Sequence, residues 1–416
     1  MNQQLNKVQL TDMKVIEPKI RGFLCTTAHP LGCKAHVEAQ INQVKSEHSV
    51  KQASKPPKRV LIIGGSAGYG LSSRIVCAAG YGASTVSVSM EKAPTQRKTA
   101  TAGWYNNHYL DQWISEQGGA SYSISGDAFS AEIKQQAIDT IKSKLGQVDL
   151  VVYSLAAPRR IKQEDQSTKT YQSVIKPIGQ PFEGRTIDTA SGKMSSLYLE
   201  PASSQEIEDT VTVMGGEDWF DWMVALNEAN LLSDQIQTVA FSYLGGELTK
   251  AIYGAATLGA AKGDVERHCQ KINDMLEATG QELPAKVAVL KAIVTQSSAA
   301  IPSLPLYISV LYQVMKTQGN HEGCLDQIIR LFDQVLYPSD AQQEKDCEQD
   351  KSYRYRLDDR ELTDSVQQAV TELWQKVDQV NLNDLTDFSG YQSDFLKLFG
   401  FDWPGIDYQK PVPLEP

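Results

Sequence analysis

Fifteen residues, VLIIGGSAGYGLSSR at 60–74, constrain the fold more than any other stretch of the chain. A short apolar run without a polar break is how a strand buried on both faces of a parallel sheet reads. Gly64, Gly68 and Gly70 follow it with the spacing G-x3-G-x-G, and LSSRIVCAAGYG continues as a helix. Strand, glycine turn and helix in that order suit a dinucleotide. The glycines let the chain turn tightly and let bare backbone N–H groups approach a pyrophosphate. The helix N-terminus adds unpaired donors and the positive end of its dipole. Plain strand-to-helix turns use the same glycines, so the neighbouring elements have to decide.

Those neighbours repeat the unit. STVSVSM (84–90), SYSIS (121–125) and DLVVYSLA (149–156) read as strands and AEIKQQAIDTIKSKLG (131–146) as a helix. Alternating strand and helix over residues 59–157 is the pattern of βαβ units and a parallel sheet. Ligands of such sheets sit beyond the carboxyl ends of the strands. Glu91 ends the second strand, twenty-one residues after Gly70, where a carboxylate holds the adenosine ribose of NADH and repels the extra phosphate of NADPH. Asp127, between Gly126 and Ala128, follows the third strand and can meet an adenine edge. Leu155 and Ala156 end the fourth, where small or apolar residues let ribose and nicotinamide lie against the backbone. Downstream, QTVAFSYLG (237–245) and KVAVLKAIVTQ (286–296) are strand candidates, and EDWFDWMVALNEANLL (217–232) reads as a helix. The expected fold is α/β, a Rossmann-like parallel sheet with helical additions. An N-terminal arm over 1–58, ending in a Pro-Pro linker, precedes a single catalytic domain over 59–416. That domain carries a substrate-side excursion at 158–236, polar and aperiodic in its first part.

Composition excludes several classes. With 40 Lys and Arg against 50 Asp and Glu, and no basic run, the chain is a poor partner for nucleic acid. No apolar stretch reaches the ~20 residues of a membrane helix, and prolines interrupt the longest candidate, AAIPSLPLYISVLYQVM (299–315). The N-terminal MNQQLNKVQLTDMK is polar, without an apolar signal core. Six scattered cysteines with no C-x-x-C pair suit reduced thiols. The expectation is a soluble, cytoplasmic protein.

Tyr253 and Lys262 offer a proton donor and a cation after the QTVAFSYLG strand. A phenol can give a hydrogen bond to an oxygen gaining charge, and an ammonium can lower its pKa and bind a nicotinamide ribose. The spacing is Tyr-x8-Lys, which on one straight helix puts the two on opposite faces. Either the pair is no site, or Tyr253 lies in a loop before the helix that carries Lys262. Gly254 allows such a break, and Tyr243 could bring a second hydroxyl.

At this point the chain resembles a known family, the FabV-type trans-2-enoyl-thioester reductases. The matching segments are RGFLCTTAHPLGC, GGSAGYGLSSR, GWYNN, GDAFS, GQVDLVVYSLAAPRR, MGGEDW, FSYLG with Tyr-x8-Lys, KAIVTQSSAAIPSLPLY, HEGC and LTDFSGYQSDFLKLFGF, in order from about residue 15 to about 408. The resemblance implies NADH-dependent reduction of enoyl esters of acyl carrier protein or CoA by a monomer. It places Tyr253 and Lys262 on the catalytic pair, with Lys262 also touching the cofactor, and Tyr243 on the substrate. It places Gly64, Gly65, Ser66, Ala67, Gly68, Tyr69, Met90, Glu91, Asp127, Ala128, Leu155 and Ala156 in the NADH site. Ala292, Ile293 and Val294 fall on its nicotinamide-side backbone segment. From the same Tyr and Lys, a carbonyl (3-ketoacyl) reductase or a non-catalytic NADH-binding regulator are the alternatives.

Other constellations are weighed beside it. Cys25, His29, Cys33 and His36 have zinc-type donors, but Pro30 and Gly32 bend the segment and the usual pairing spacings are absent, so no metal is expected. Arg159 and Arg160 either bind carrier phosphates or pair with carboxylates. Trp219 and Trp222 read as helix packing. IPSLPLYISVL either covers an acyl chain or is core.

Overall fold

Seven parallel strands run through the middle of the protein, and everything else is arranged around their two faces and their carboxyl ends. The computed structural model describes residues 13–47, 53–164, 167–277, 284–339, 349–350 and 354–416. The polar N-terminal stretch through Asp12, part of the 48–59 linker and Cys347 lie outside the described residues. Cys25, Cys33, Cys77, Cys269 and Cys324 are free thiols.

In chain order, the arm holds β1 (Met13–Lys14), the ribbon β2 (Ile20–Arg21) and β3 (Leu24–Cys25), and α1 (Pro30–Ser46). The alternating unit follows as β4 (Arg59–Ile63), α2 (Gly68–Ile75), β5 (Ser84–Ser89), α3 (Ala102–Glu116), β6 (Ser121–Ser125), α4 (Ala131–Lys144) and β7 (Val148–Tyr153). The excursion contains two hairpins, β8 (Arg159–Glu164) with β9 (Ser167–Gln172) and β10 (Phe182–Ile187) with β11 (Met194–Leu199). Helices α5 (Ser204–Met214) and α6 (Glu217–Glu228) complete it. Then come β12 (Leu232–Ser242), α7 (Glu247–Lys250), α8 (Thr257–Glu277), β13 (Ala285–Val289), α9 (Gln296–Ala299), α10 (Leu304–Gln318) and α11 (Cys324–Leu331). The edge strand β14 (Arg354–Arg356), three helices (Asp364–Lys376, Leu382–Leu385, Phe388–Lys397) and β15 (Val412–Pro413) close the chain.

The sheet order is β6-β5-β4-β7-β12-β13-β14, with every pairing parallel. The strand order reverses between β4 and β7, which opens a crevice at their carboxyl ends. Strand period two sorts the core. Val60, Ile62, Leu150 and Val152 face α1, α2, α3 and α11, whereas Leu61, Ile63, Val86 and Val88 face α4, α6 and α8. Each of these fully buried side chains contributes about 1.5–3 kcal/mol relative to exposure. A third cluster joins α10 to Val366, Val370, Phe388, Tyr391 and Phe395 of the C-terminal helices. It also takes in Tyr253 and Ala292–Val294, so it roofs the carboxyl ends of the late strands.

The α/β expectation holds, and two element readings change. KVAVLKAIVTQ is a strand only over Ala285–Val289; Leu290 to Thr295 turn away, and Thr295 caps α9. The excursion's aperiodic first part is two antiparallel ribbons of short strands, exposed in β9 and half-buried in β10 and β11, with too few apolar residues to read as alternation. IPSLPLYISVL is core: Pro305 sits at the start of α10, where a missing N–H costs nothing, and Leu306, Tyr307, Val310 and Leu311 are buried. Trp219 and Trp222 are fully buried helix residues, as read. Among the described residues, no helix is long and apolar enough to cross a membrane.

Candidate active site

Six strand ends converge. Gly64 follows β4, Glu91 follows β5, Asp127 follows β6, Leu155 follows β7, Tyr243 follows β12 and Ala292 follows β13. The glycine turn is built as the spacing demands. Gly64 has φ +85°, and a Cβ there would lie 2.0 Å from the Ser154 carbonyl oxygen. A Cβ on Gly70 would lie 2.1 Å from the Gly64 carbonyl oxygen. Ala67 caps α2 without a side-chain hydrogen bond, so its first N–H groups are free for an anion. Tyr69 leans across the sheet, donating to the Lys291 carbonyl at 3.1 Å, which joins the turn to the segment after β13.

Glu91 is half-buried beside this turn. The Ser66 hydroxyl donates to its Oε1 at 2.6 Å, and the Thr101 hydroxyl donates to Oε2. Asn106 holds the Ser66 carbonyl at 3.0 Å. No local signal in the sequence marks Thr101 or Asn106, and GWYNN carries only the family likeness. Asp127 accepts from the Phe129 N–H at 3.0 Å, and Ala128 is buried. Leu155 is half-buried, Ala156 exposed, and the Met90 side chain is 72% exposed. The bare glycine backbone with its free N–H groups, the uncapped helix and the fixed carboxylate fit a dinucleotide.

The Tyr and Lys lie as the loop alternative required. Tyr253 sits in the turns between α7 and α8, and Lys262 is inside α8. The Gly259 N–H donates to the Tyr253 carbonyl at 2.8 Å, fastening the loop to the helix. The rings of Tyr243 and Tyr253 meet edge to face with centroids 4.8 Å apart. Burial raises the Tyr253 phenol above its ordinary pKa, so it holds its proton at neutral pH. The Lys262 ammonium is given to the Phe241 carbonyl at 2.9 Å rather than to the Tyr253 hydroxyl, and burial pulls it down to about 8. The excursion reaches this loop: Pro177 bridges Ala256, and the Thr257 hydroxyl donates to the Val174 carbonyl at 2.5 Å.

Ala292, Ile293 and Val294 are buried beside the turn, and Thr295 lies 3.6 Å from where a Gly68 Cβ would be. Sequence reading missed what anchors them. Glu361, fully buried, accepts from the Ala292 N–H at 2.6 Å, from Tyr307 at 2.8 Å and from Tyr243 at 3.1 Å. No local pattern marks a carboxylate more than a hundred residues from Tyr243.

Two other expectations find their places. Arg160 is buried and pairs with Glu217 at 2.7 Å and Asp221 at 3.1 Å, so it is a structural arginine; Arg159 is exposed. His29 accepts from the Gly32 N–H at 3.3 Å and packs on Tyr408, while His36 lies edge-on to Trp403. Among the described residues no three His, Cys, Asp or Glu gather as a metal site.

Fold and site together define a nicotinamide-dependent reductase built on a doubly wound parallel sheet. More narrowly, the chain belongs to the trans-2-enoyl-CoA reductase family: residues 98–337 match its catalytic region and residues 15–96 its NAD(P)H binding domain. An enoyl-[acyl-carrier-protein] reductase [NADH] of Aliivibrio fischeri is 49% identical over 96% of this chain and 97% of its own. The crystal structure of a Clostridium trans-2-enoyl-CoA reductase in complex with NADH superposes with TM-score 0.90 at 38% identity, covering 96% of this chain and 98% of the other. That of the Treponema denticola trans-2-enoyl-CoA reductase in complex with NAD gives 0.89 at 43%, with the same coverage. Residues 349–412 match a family described as an enoyl reductase FAD binding domain. Among the described residues this segment does not fit a flavin: its Val366, Val370, Phe388, Tyr391 and Phe395 are buried in the core, and no strand-to-helix glycine turn occurs there. Its contribution to the site is Glu361.

Proposed function

We propose that this chain reduces the C2=C3 bond of trans-2-enoyl thioesters with NADH, giving saturated acyl thioesters for fatty acid synthesis. The observation that carries the mechanism is the edge-to-face pair of Tyr243 and Tyr253 beside the glycine turn and the Ala292 segment. NADH, when bound, supplies the hydride for the β-carbon. Gly64–Tyr69, Met90, Glu91, Asp127, Ala128, Leu155, Ala156 and Ala292–Val294 hold it. Negative charge then gathers on the thioester oxygen as an enolate, Tyr253, still protonated, donates a hydrogen bond to that oxygen, and the proton that the α-carbon takes up comes along the path through the Tyr253 hydroxyl from solvent. A preplaced donor in a water-poor site stabilises the transition state without reorganisation. Lys262 binds the nicotinamide ribose and biases Tyr253; Tyr243 contacts the substrate. The carrier is acyl carrier protein or CoA. The enzyme works as a cytoplasmic monomer, with residues 1–58 an arm on one catalytic body. Steady-state NADH oxidation with enoyl-carrier-protein, enoyl-CoA and 3-ketoacyl thioesters tests this. Turnover of either enoyl ester is expected, whereas turnover of the 3-ketoacyl ester alone would make the protein a carbonyl reductase.

A further inference from the structure

Two tyrosines stand where one donor is needed, and their hydrogen bonds differ. Tyr243 and Tyr307 both point at the same oxygen, Oε1 of Glu361, at 3.1 and 2.8 Å. The second oxygen, Oε2, takes the Ala292 N–H at 2.6 Å. The Gln367 amide holds the Glu361 backbone carbonyl at 2.8 Å, which fixes the residue itself. Three donors aimed at one fully buried carboxyl are satisfied when it is the ionised acceptor. Burial raises this carboxyl above its ordinary range, opposed in part by the Lys291 ammonium, the Ala292 N–H and the Tyr307 hydroxyl. A phenol has a single proton. Once Tyr243 gives it to Glu361, Tyr243 can only accept from anything else in the pocket.

We propose that Glu361 is a positioning residue of the reduction: it accepts the hydroxyl hydrogen bonds of Tyr243 and Tyr307 and so leaves Tyr253 as the pocket tyrosine free to donate to the substrate oxygen. This rests on the reading of Tyr253 as that donor. The same carboxylate holds Ala292, so donor choice and the placing of the nicotinamide-side segment depend on one group.

Glu361→Gln tests it through a gain. The amide oxygen can still accept the Ala292 N–H, and the amide NH2 then faces both tyrosines and donates to them. That frees the Tyr243 proton for the pocket. Tyr253→Phe alone should be strongly impaired, and adding Glu361→Gln should raise its kcat about tenfold, one restored donor being worth ~1.4 kcal/mol or more. Adding Tyr243→Phe should abolish that gain. No rise in the double variant, or a rise that survives Tyr243→Phe, would overturn the proposal. A merely structural Glu361 would lower thermal stability and weaken NADH binding but could not rescue. If Tyr253→Phe is itself fully active, the Tyr253 reading fails, and the bond is read by 13C NMR of ring-labelled tyrosine instead. The Tyr243 Cζ signal, identified by its loss in Tyr243→Phe, is expected downfield of free tyrosine, as for a phenol donating to an anion. A signal at or upfield of the free value sinks the assignment, and this measurement also serves if Glu361→Gln does not fold.

Discussion

Glu91 shows how much one side chain can decide. Its two oxygens are held by Ser66 and Thr101 at the rim of the glycine turn, which fixes its charge there; in the proposed site that charge meets the adenosine ribose. Removing it should matter more for NADPH than for NADH. Glu91→Ala is expected to shift the kcat/KM ratio toward NADPH by about tenfold, equivalent to ~1.4 kcal/mol, and an unchanged ratio would make Glu91 a plain rim charge. Lys262 should act on cofactor and tyrosine together. Because burial lowers its ammonium to about 8, the charge is present below that pH and lost above it. The KM for NADH should therefore climb as pH rises past about 8, and Lys262→Met should show high KM at every pH. A pH-independent KM in the unaltered enzyme would take Lys262 out of the cofactor site.

At the scale of elements, the glycine turn and the four early strands are legible in the sequence, and the break between Tyr253 and α8 is one of the two alternatives that the spacing leaves open. They are local: an apolar run, a steric need for glycine, a spacing at odds with one helix. The turn's tightness gives a test. Gly70→Ala would press a methyl to within about 2.1 Å of the Gly64 carbonyl, and that oxygen belongs to backbone that cannot swing aside. Overpacking of this kind costs about 1–3 kcal/mol, so a fall in Tm and weaker NADH binding are expected together by calorimetry. Normal NADH affinity would mean that the turn does not cradle the cofactor. What sequence reading missed is non-local. The outer strand β9 is largely exposed, and β10–β11 turns only Phe182, Ile187, Met194 and Leu199 toward the core, too few apolar residues to stand out as an alternating run. KVAVLKAIVTQ reads as one strand because an apolar run says nothing about where hydrogen bonding to β12 stops. Glu361 becomes part of the site only when β14 and the C-terminal helices fold over the carboxyl ends of the sheet.

The molecule as a whole is tied at both ends around that sheet. β1 pairs with β15, and His29 at the start of α1 packs on Tyr408 near the C-terminus. Burial lowers His29 and His36 to about 4, so the folded protein keeps both neutral while the unfolded chain protonates near 6.5. Between those values the unfolded state binds more protons, and stability falls as pH drops from about 6.5 to about 4. Tm should follow that slope, and His29→Asn, which can still cap α1, should flatten it; an unchanged slope would free His29 from the account. The central claim is narrower than the fold: Tyr253 gives the hydrogen bond that lets an enoyl thioester accept hydride. The direct test is Tyr253→Phe, which keeps the ring and its packing on Tyr243 but removes the hydroxyl. The account predicts unchanged NADH affinity by titration and a kcat on an enoyl thioester lower by roughly 10²–10³, as for one lost oxyanion donor. A near-normal kcat with NADH affinity intact would contradict it.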